Sequence, residues 1–287
     1  MIWIIGHLLA VCIGISLGLI GGGGSVLALP ILVYVMGVPP KSAIAMTLVI
    51  VGTVSLLGVI PHWRAKNVNL KTAFIFGSAT MLGAFIGAKI ATLPAVTETF
   101  QMMLFAVMML LAAMLMIRRS SQPIAPDDKL ALYPPPVCKY CWLWLMSEGL
   151  GVGILTGLVG VGGGFAIVPA LVLLGNVPMK QAIGTSLLII SFNSVAGFLG
   201  YLGQVSLNWN LMGSFIVAAS AGTLPGAYWA QFVPAQKLQK LFGYFLLAVS
   251  AFVLVQNFHP SPSSKLNNQT DLMMSRKAIN IRKSSVR

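Results

Sequence analysis

Two glycine turns are the residues in this chain best placed to do chemistry: Gly21, Gly22, Gly23 and Gly24 followed by Ser25, and Gly160, Gly162, Gly163 and Gly164 with Val161 interposed. Glycine loses the most entropy on ordering, and bare backbone amides find no water inside lipid, so such runs between apolar stretches need a reason. Each turn is followed at once by an apolar run, which leaves the unpaired N–H groups of a helix N-terminus pointing out of it. A helix end of that kind favours an anion, and glycine lets the ligand approach the backbone closely. Two such ends facing each other would enclose one small anionic substrate.

Other polar residues recur around these turns. Lys41 and Lys180 each follow a proline-marked break and precede a long apolar run, where they would draw an anion in or snorkel to the membrane interface. Thr47 and Ser186, Ser55 and Ser194 occupy matching places in later runs, and Asn193 adds an amide. Hydroxyl and amide donors complete the hydrogen bonds of an oxyanion, though they also join helix to helix. The candidate binding set is therefore Gly21 to Gly24, Ser25, Lys41, Thr47, Gly160, Gly162 to Gly164, Lys180, Ser186 and Asn193.

What is missing narrows the mechanism. The acids are Glu98, Asp127, Asp128, Glu148 and Asp271, which fall at the ends of apolar runs or outside them, so no conventional carboxylate relay is expected. A uniporter or an anion-driven exporter fits that inventory better. His7, His62 and His259 are isolated, without metal-ligand spacing, and read as interface residues. Cys138 and Cys141 make a lone CxxC, too few ligands for zinc and too few cysteines for a disulfide framework. No nucleophile, base and orienting group occur together, so neither an enzyme, a metal nor a cofactor is implied.

Hydrophobic residues make up 57% of the chain and charged residues 8%, far below the quarter or so that covers a soluble domain. The formal charge of +13 would suit a nucleic-acid partner, but the basic residues sit on separate connectors: Arg64 to Lys71, Arg118 to Lys139, and Lys265 to Arg287. That is a positive-inside pattern, and the partner is a lipid bilayer, not nucleic acid.

A constant offset of 139 residues lays GLIGGGGSVLALPIL over GLVGVGGGFAIVPAL and pairs Gly14 with Gly153, Pro30 with Pro169 and Gly83 with Gly222. Apolar runs are expected at 2 to 20, 25 to 37, 42 to 60, 72 to 93 and 99 to 117, then at 145 to 158, 165 to 175, 181 to 202, 209 to 230 and 238 to 256. The second run of each half is too short to cross alone. With its predecessor it forms one broken helix or a re-entrant pair, which predicts an all-α polytopic membrane protein of two four-span repeats, about eight transmembrane helices. Residues 1–119 and 141–258 are the repeats, 120–140 a proline-rich linker and 259–287 a disordered basic tail. Four spans per half would make the repeats parallel and put all three basic clusters and both termini in the cytoplasm. Re-entrant second runs would make them inverted, and the lack of a second-half counterpart to Arg64 and Lys66 leaves that arrangement open.

The paired motifs, GLIGGGGSVLALPIL with GVPPKSAIAMTL and GLVGVGGGFAIVPALVLL with NVPMKQAIGTSL, resemble those of the sulfite exporter TauE/SafE family over roughly residues 5 to 257. The resemblance implies a permease or exporter of the inner membrane, multi-pass, carrying sulfite or an organosulfonate. The CxxC and the basic tail lie outside that pattern. They support a rival reading, a membrane assembly or redox partner that docks a soluble protein.

Overall fold

The computed structural model describes residues 2–91, 98–120, 141–159, 164–201 and 207–258. The linker, the tail and Gly160 to Gly163 lie outside them, as does the side chain of Lys41. The described chain is helical throughout: α1 (Ile2–Ile20), α2 (Gly23–Pro30) continued by a π-helical turn (Ile31–Val35), α3 (Pro40–Arg64), α4 (Leu70–Ala91), α5 (Glu98–Ser120), α6 (Cys141–Val159), α7 (Gly164–Leu173), α8 (Met179–Tyr201), α9 (Trp209–Phe232) and α10 (Ala235–Phe258). Among the described residues five helices are long and apolar enough to cross a membrane, α1, α3, α4, α8 and α9. Large apolar side chains cover the outer surface, among them Phe74, Phe85, Val107 and Val217. In water that surface would be untenable; in lipid it is the expected exterior.

Local chemistry sets the boundaries. Pro40 opens α3, where its missing N–H costs nothing. Asn69 and Asn208, one repeat apart, cap α4 and α9 by accepting from the Thr72 and Leu211 amides, each at 3.1 Å. Pro30 denies α2 a hydrogen bond, and the helix widens into the π turn directly after it.

The short second helices fold back instead of continuing their predecessors. The start of α2 lies beside Ile13 and Leu17 of α1 through Gly24, while Met36 beyond the π turn has returned to Gly6. In the second half Gly175, beyond α7, has returned to Leu145 of α6. α1 with α2, and α6 with α7, are therefore helical hairpins, the re-entrant alternative. α2 and α7 form the buried centre together with the facing sides of α3 and α8.

This changes the parity of the bundle. α3 crosses α8 with Gly52 beside Ser194 and Gly58 beside Leu187, so numbering rises along one as it falls along the other. α5 and α10 are likewise antiparallel: Ser250 donates to the Ala106 carbonyl near one end and Ser120 to the Gln236 carbonyl at the other, both at 2.9 Å. Helices equivalent under the 139-residue offset thus run in opposite directions, the inverted arrangement, and the parallel reading does not describe this bundle. The start of α1 and the end of α10 lie at one end, and the α3–α4 turn with the end of α5 at the other. Arg64 to Lys71 and the start of the linker cannot share a side with the C-terminal end of α10, as the sequence pattern had suggested.

Parallel pairs across the halves weld the bundle. α1 lies along α9 and α4 along α6, with glycines at each crossing. A Cβ on Gly14 would press into the Ala219 carbonyl, and on Gly222 into that of Val11; Gly83 and Gly153 face each other in the same way across α4 and α6. Close backbone approach is how membrane helices associate where lipid supplies no hydrophobic drive. Thr223 adds a side-chain bond, its hydroxyl reaching the Gly14 carbonyl at 3.0 Å.

Two outcomes follow. Gly14→Val should destabilise the detergent-solubilised protein by about 1–3 kcal/mol or prevent folding. Gly213→Ala, with nothing within 4 Å of the new atom, should be neutral or gain up to about 1 kcal/mol, both read by thermal unfolding. Lys71 and Asn210 are repeat partners and both exposed; in a chain whose native cysteines are replaced by serine, Lys71→Cys and Asn210→Cys should react with a membrane-impermeant maleimide from opposite sides. Labelling from one side would restore the parallel arrangement.

Candidate functional site

The first hairpin tip meets the start of α7 at the centre of the molecule. Gly21 terminates α1 in a left-handed conformation, φ +81°, with its amide still bonded to the Leu17 carbonyl at 2.8 Å. Only glycine adopts that φ without strain, which explains the first glycine of the run. Gly22 caps α2, and Ser25 turns back to donate from Oγ to the Gly22 carbonyl at 2.6 Å. Gly22 then packs on Gly164, the first residue of α7, so closely that a Cβ would overlap its carbonyl. Gly23 and Gly24 are hemmed in as well, by the Phe245 ring and by the Ile13 carbonyl.

Of the candidate residues, Gly21 to Gly24, Ser25, Gly164 and Ser186 are brought together here and are buried. Ser186 is the side chain nearest to Gly21 from α8 and donates to the Ile183 carbonyl at 2.8 Å. The others stand elsewhere. Lys180 Nζ donates to the Gln231 carbonyl at 2.7 Å, at the end of the bundle opposite the start of α3 where Lys41 lies. Asn193 joins α8 to α4, Nδ2 donating to Thr80 Oγ1 at 3.3 Å. Thr47 Oγ1, Ser55 Oγ and Asn193 Oδ1 are buried with no partner, unspent hydrogen-bonding capacity in the α3–α8 region. Gly160, Gly162 and Gly163 lie outside the described residues.

A cavity of about 750 Å³ opens at the end of the bundle that holds the start of α1. Trp3, Met36, Gly37, Met46, Trp209 and Asn210 are among its lining, and Thr47 is not. None of the glycine-turn residues lines it. The arrangement is a vestibule at one end and a closed glycine contact at the centre.

Two ionisable side chains stand where the sequence reading did not place them. Glu148 lies inside α6, two turns past Cys141, with both carboxylate oxygens buried, rather than at a run's end. His62, expected at an interface, is 1% exposed, and its Nε2 stands 3.1 Å from the Gly18 carbonyl, one turn before the first glycine tip. An isolated histidine directly after Pro61 carries no periodic signal that would have revealed this.

Gly21 and Gly37 separate packing from backbone strain, since both have positive φ but Gly37 has nothing within 4 Å. Gly37→Ala should cost only the left-handed penalty of about 1–2 kcal/mol. Gly21→Ala should cost more, because its Cβ meets Ser186 and Val168 as well, and the difference in unfolding midpoints measures the central contact.

The family model of the sulfite exporter TauE/SafE matches residues 7–253. A "Probable membrane transporter protein" of Xylella fastidiosa (strain Temecula1) is 34% identical over 246 residues, which is 84% of this chain and 91% of the relative. The "Probable membrane transporter protein YdhB" of Bacillus subtilis (strain 168) is 27% identical over 223 residues, 77% of this chain and 88% of that protein. No solved structure matches. A match over nearly the whole length, on a bundle of apolar helices with a lipid-suited exterior, makes the chain a multi-pass membrane transporter that belongs to the sulfite exporter TauE/SafE family.

Proposed function

We propose that this transporter carries a small sulfur-containing oxyanion, sulfite or an organosulfonate, which binds between the two hairpin tips when they part. The observation that carries the reading is the convergence of Gly22 and Gly164, each at the start of a helix, with Ser25 and Ser186 beside them. Separated by a few ångströms, the tips would present helix N-terminal amides and two hydroxyls to one solute, a set of donors matched to an oxyanion. The closed contact is the barrier that keeps the membrane sealed between turnovers. The vestibule lined by Met36 and Trp209 is the approach from one side, with Lys41 next in sequence to Ser42 of its lining.

The same reading assigns an orientation in the cell membrane. Arg64, Lys66, Lys71, Arg118, Arg119, Lys180, Lys237 and Lys240 belong to one end of the bundle, against Lys41 and Lys89 at the other, where the sequence after α10 adds Lys265, Arg276 and Lys277 within about 20 residues of the helix end. The rule that basic connectors stay in the cytoplasm places the α3–α4 turn inside and the start of α1 and end of α10 outside, the reverse of the orientation drawn from the sequence alone.

Purified protein in liposomes should take up labelled sulfite or members of an alkanesulfonate panel with saturation, and Gly22→Ala should reduce that flux at least tenfold. Serine at both Cys138 and Cys141 should leave it intact. Absence of saturable flux for every anion in the panel would overturn the assignment.

A further inference from the structure

We propose that His62 couples transport to protons: the anion crosses together with one proton held on His62 Nδ1. This deepens the transport reading and rests on it. The Gly18 carbonyl can only accept, so Nε2 carries the hydrogen in their 3.1 Å bond. In the neutral ring that leaves Nδ1 as a bare lone pair, and Nδ1 is buried without a partner. A buried acceptor left empty costs about 1–3 kcal/mol and in a native fold calls for a reason. Here the reason is that Nδ1 is filled during part of the cycle.

The surroundings set when it fills. His62 projects from α3, on which α1, α2, the π turn, α8 and α9 pack. None of those five segments contains an aspartate or glutamate. The charged groups nearest to it in the fold are basic: Arg64 and Lys66 just along the chain, and Lys180, linked through the Gln231 carbonyl while the Gln231 amide donates to the Pro61 carbonyl at 3.1 Å. The other titratable groups of those segments are His7 and Cys12 on α1, Tyr34 in the π turn, Tyr201 at the end of α8 and Tyr228 on α9. Only the last carbonyls of α1, at the negative end of its dipole, favour an imidazolium there. That partial charge does not balance a full buried cation, which is expensive without a counter-ion.

An anion at the parted tips supplies the counter-ion. Gly21 is one turn from Gly18, and Ser186 is two residues from Gly184, whose Cα packs on the His62 side chain. The imidazolium and the anion are each costly alone in that environment and neutral together, so binding of one raises the affinity for the other, as linkage requires. A proton from the aqueous phase adds to the Nδ1 lone pair and no other bond is broken. On the far side Nδ1 gives the proton back to water as the anion leaves. A monoanion then crosses with no net charge, and the transporter needs neither sodium nor a carboxylate relay.

The experiment uses liposomes with a pH dye trapped inside and, as probe, an alkanesulfonate carried in the panel above, whose own charge is fixed near neutral pH. Uptake by the wild type should acidify the lumen with about one proton per anion, and its initial rate should rise up to about tenfold per unit fall in external pH above the ordinary histidine range. His62→Gln, which keeps a donor for Gly18, should retain anion uptake but lose both the acidification and the pH dependence, and its uptake should become sensitive to an imposed membrane potential. Anion uptake by the wild type without acidification would overturn the proposal, whatever the variant does. So would one-for-one acidification surviving in His62→Gln, or lost in Glu148→Gln alone. If no probe is carried at all, the transport reading falls, and this inference with it.

Discussion

Lipid offers the backbone no hydrogen-bond partners, and every unusual feature of this bundle is an answer to that constraint. A chain that breaks its helices inside a membrane must bury the broken ends in protein. The first glycine tip does so by packing on the start of α7, Gly22 against Gly164, with the Ser25 hydroxyl occupying the Gly22 carbonyl. The same economy shapes the long seams, where glycines on α1, α4, α6 and α9 bring carbonyls and Cα atoms into contact and dispersion replaces the missing hydrophobic force. What sets the tips apart from the seams is chemical, not steric. A seam glycine lies within a continuous helix whose amides are all used, whereas a tip glycine stands next to amides that a helix cannot satisfy itself.

Much of the fold was legible because helix length, proline and glycine act locally. The run expected at 2 to 20 is α1, and that at 209 to 230 falls short of α9 by two residues. The direction of the second short run was not legible. Residues 25 to 37 are apolar apart from Ser25 and Tyr34 and would serve equally as the second part of a broken span or as the return arm of a hairpin. Only the contact of Met36 with Gly6, thirty residues apart in sequence, decides between them. That one choice fixed the parity of every later helix and with it the sidedness of the basic clusters.

The candidate site was legible to the extent that its residues were costly. Four consecutive glycines have no cheap explanation, and they do converge with Ser25 and Ser186. Lys180 and Asn193 were drawn in by residue type alone, and the fold uses both to join helices, one through the Gln231 carbonyl and one through Thr80. His62 escaped notice for the opposite reason. A single histidine at the end of an apolar run is ordinary, and its significance comes from α1 ending beside it, a tertiary fact.

The inversion also explains why the two copies differ where they do. Residues near the shared centre meet equivalent surroundings in both halves, and there the copies are alike, Gly18 with Gly157, packed on Thr223 and Ala84, and Pro30 with Pro169. The helix starts at Lys71 and Asn210 lie at opposite ends of the bundle, and the two sides of a membrane differ in ions, lipid charge and potential. Each copy is therefore free to match its own side, and one carries Arg64, Lys66 and Lys71 where its twin has Gly203, Val205 and Asn210. The divergence between the halves is in this sense a record of the membrane's own asymmetry, written at the ends of a molecule whose middle stayed symmetric.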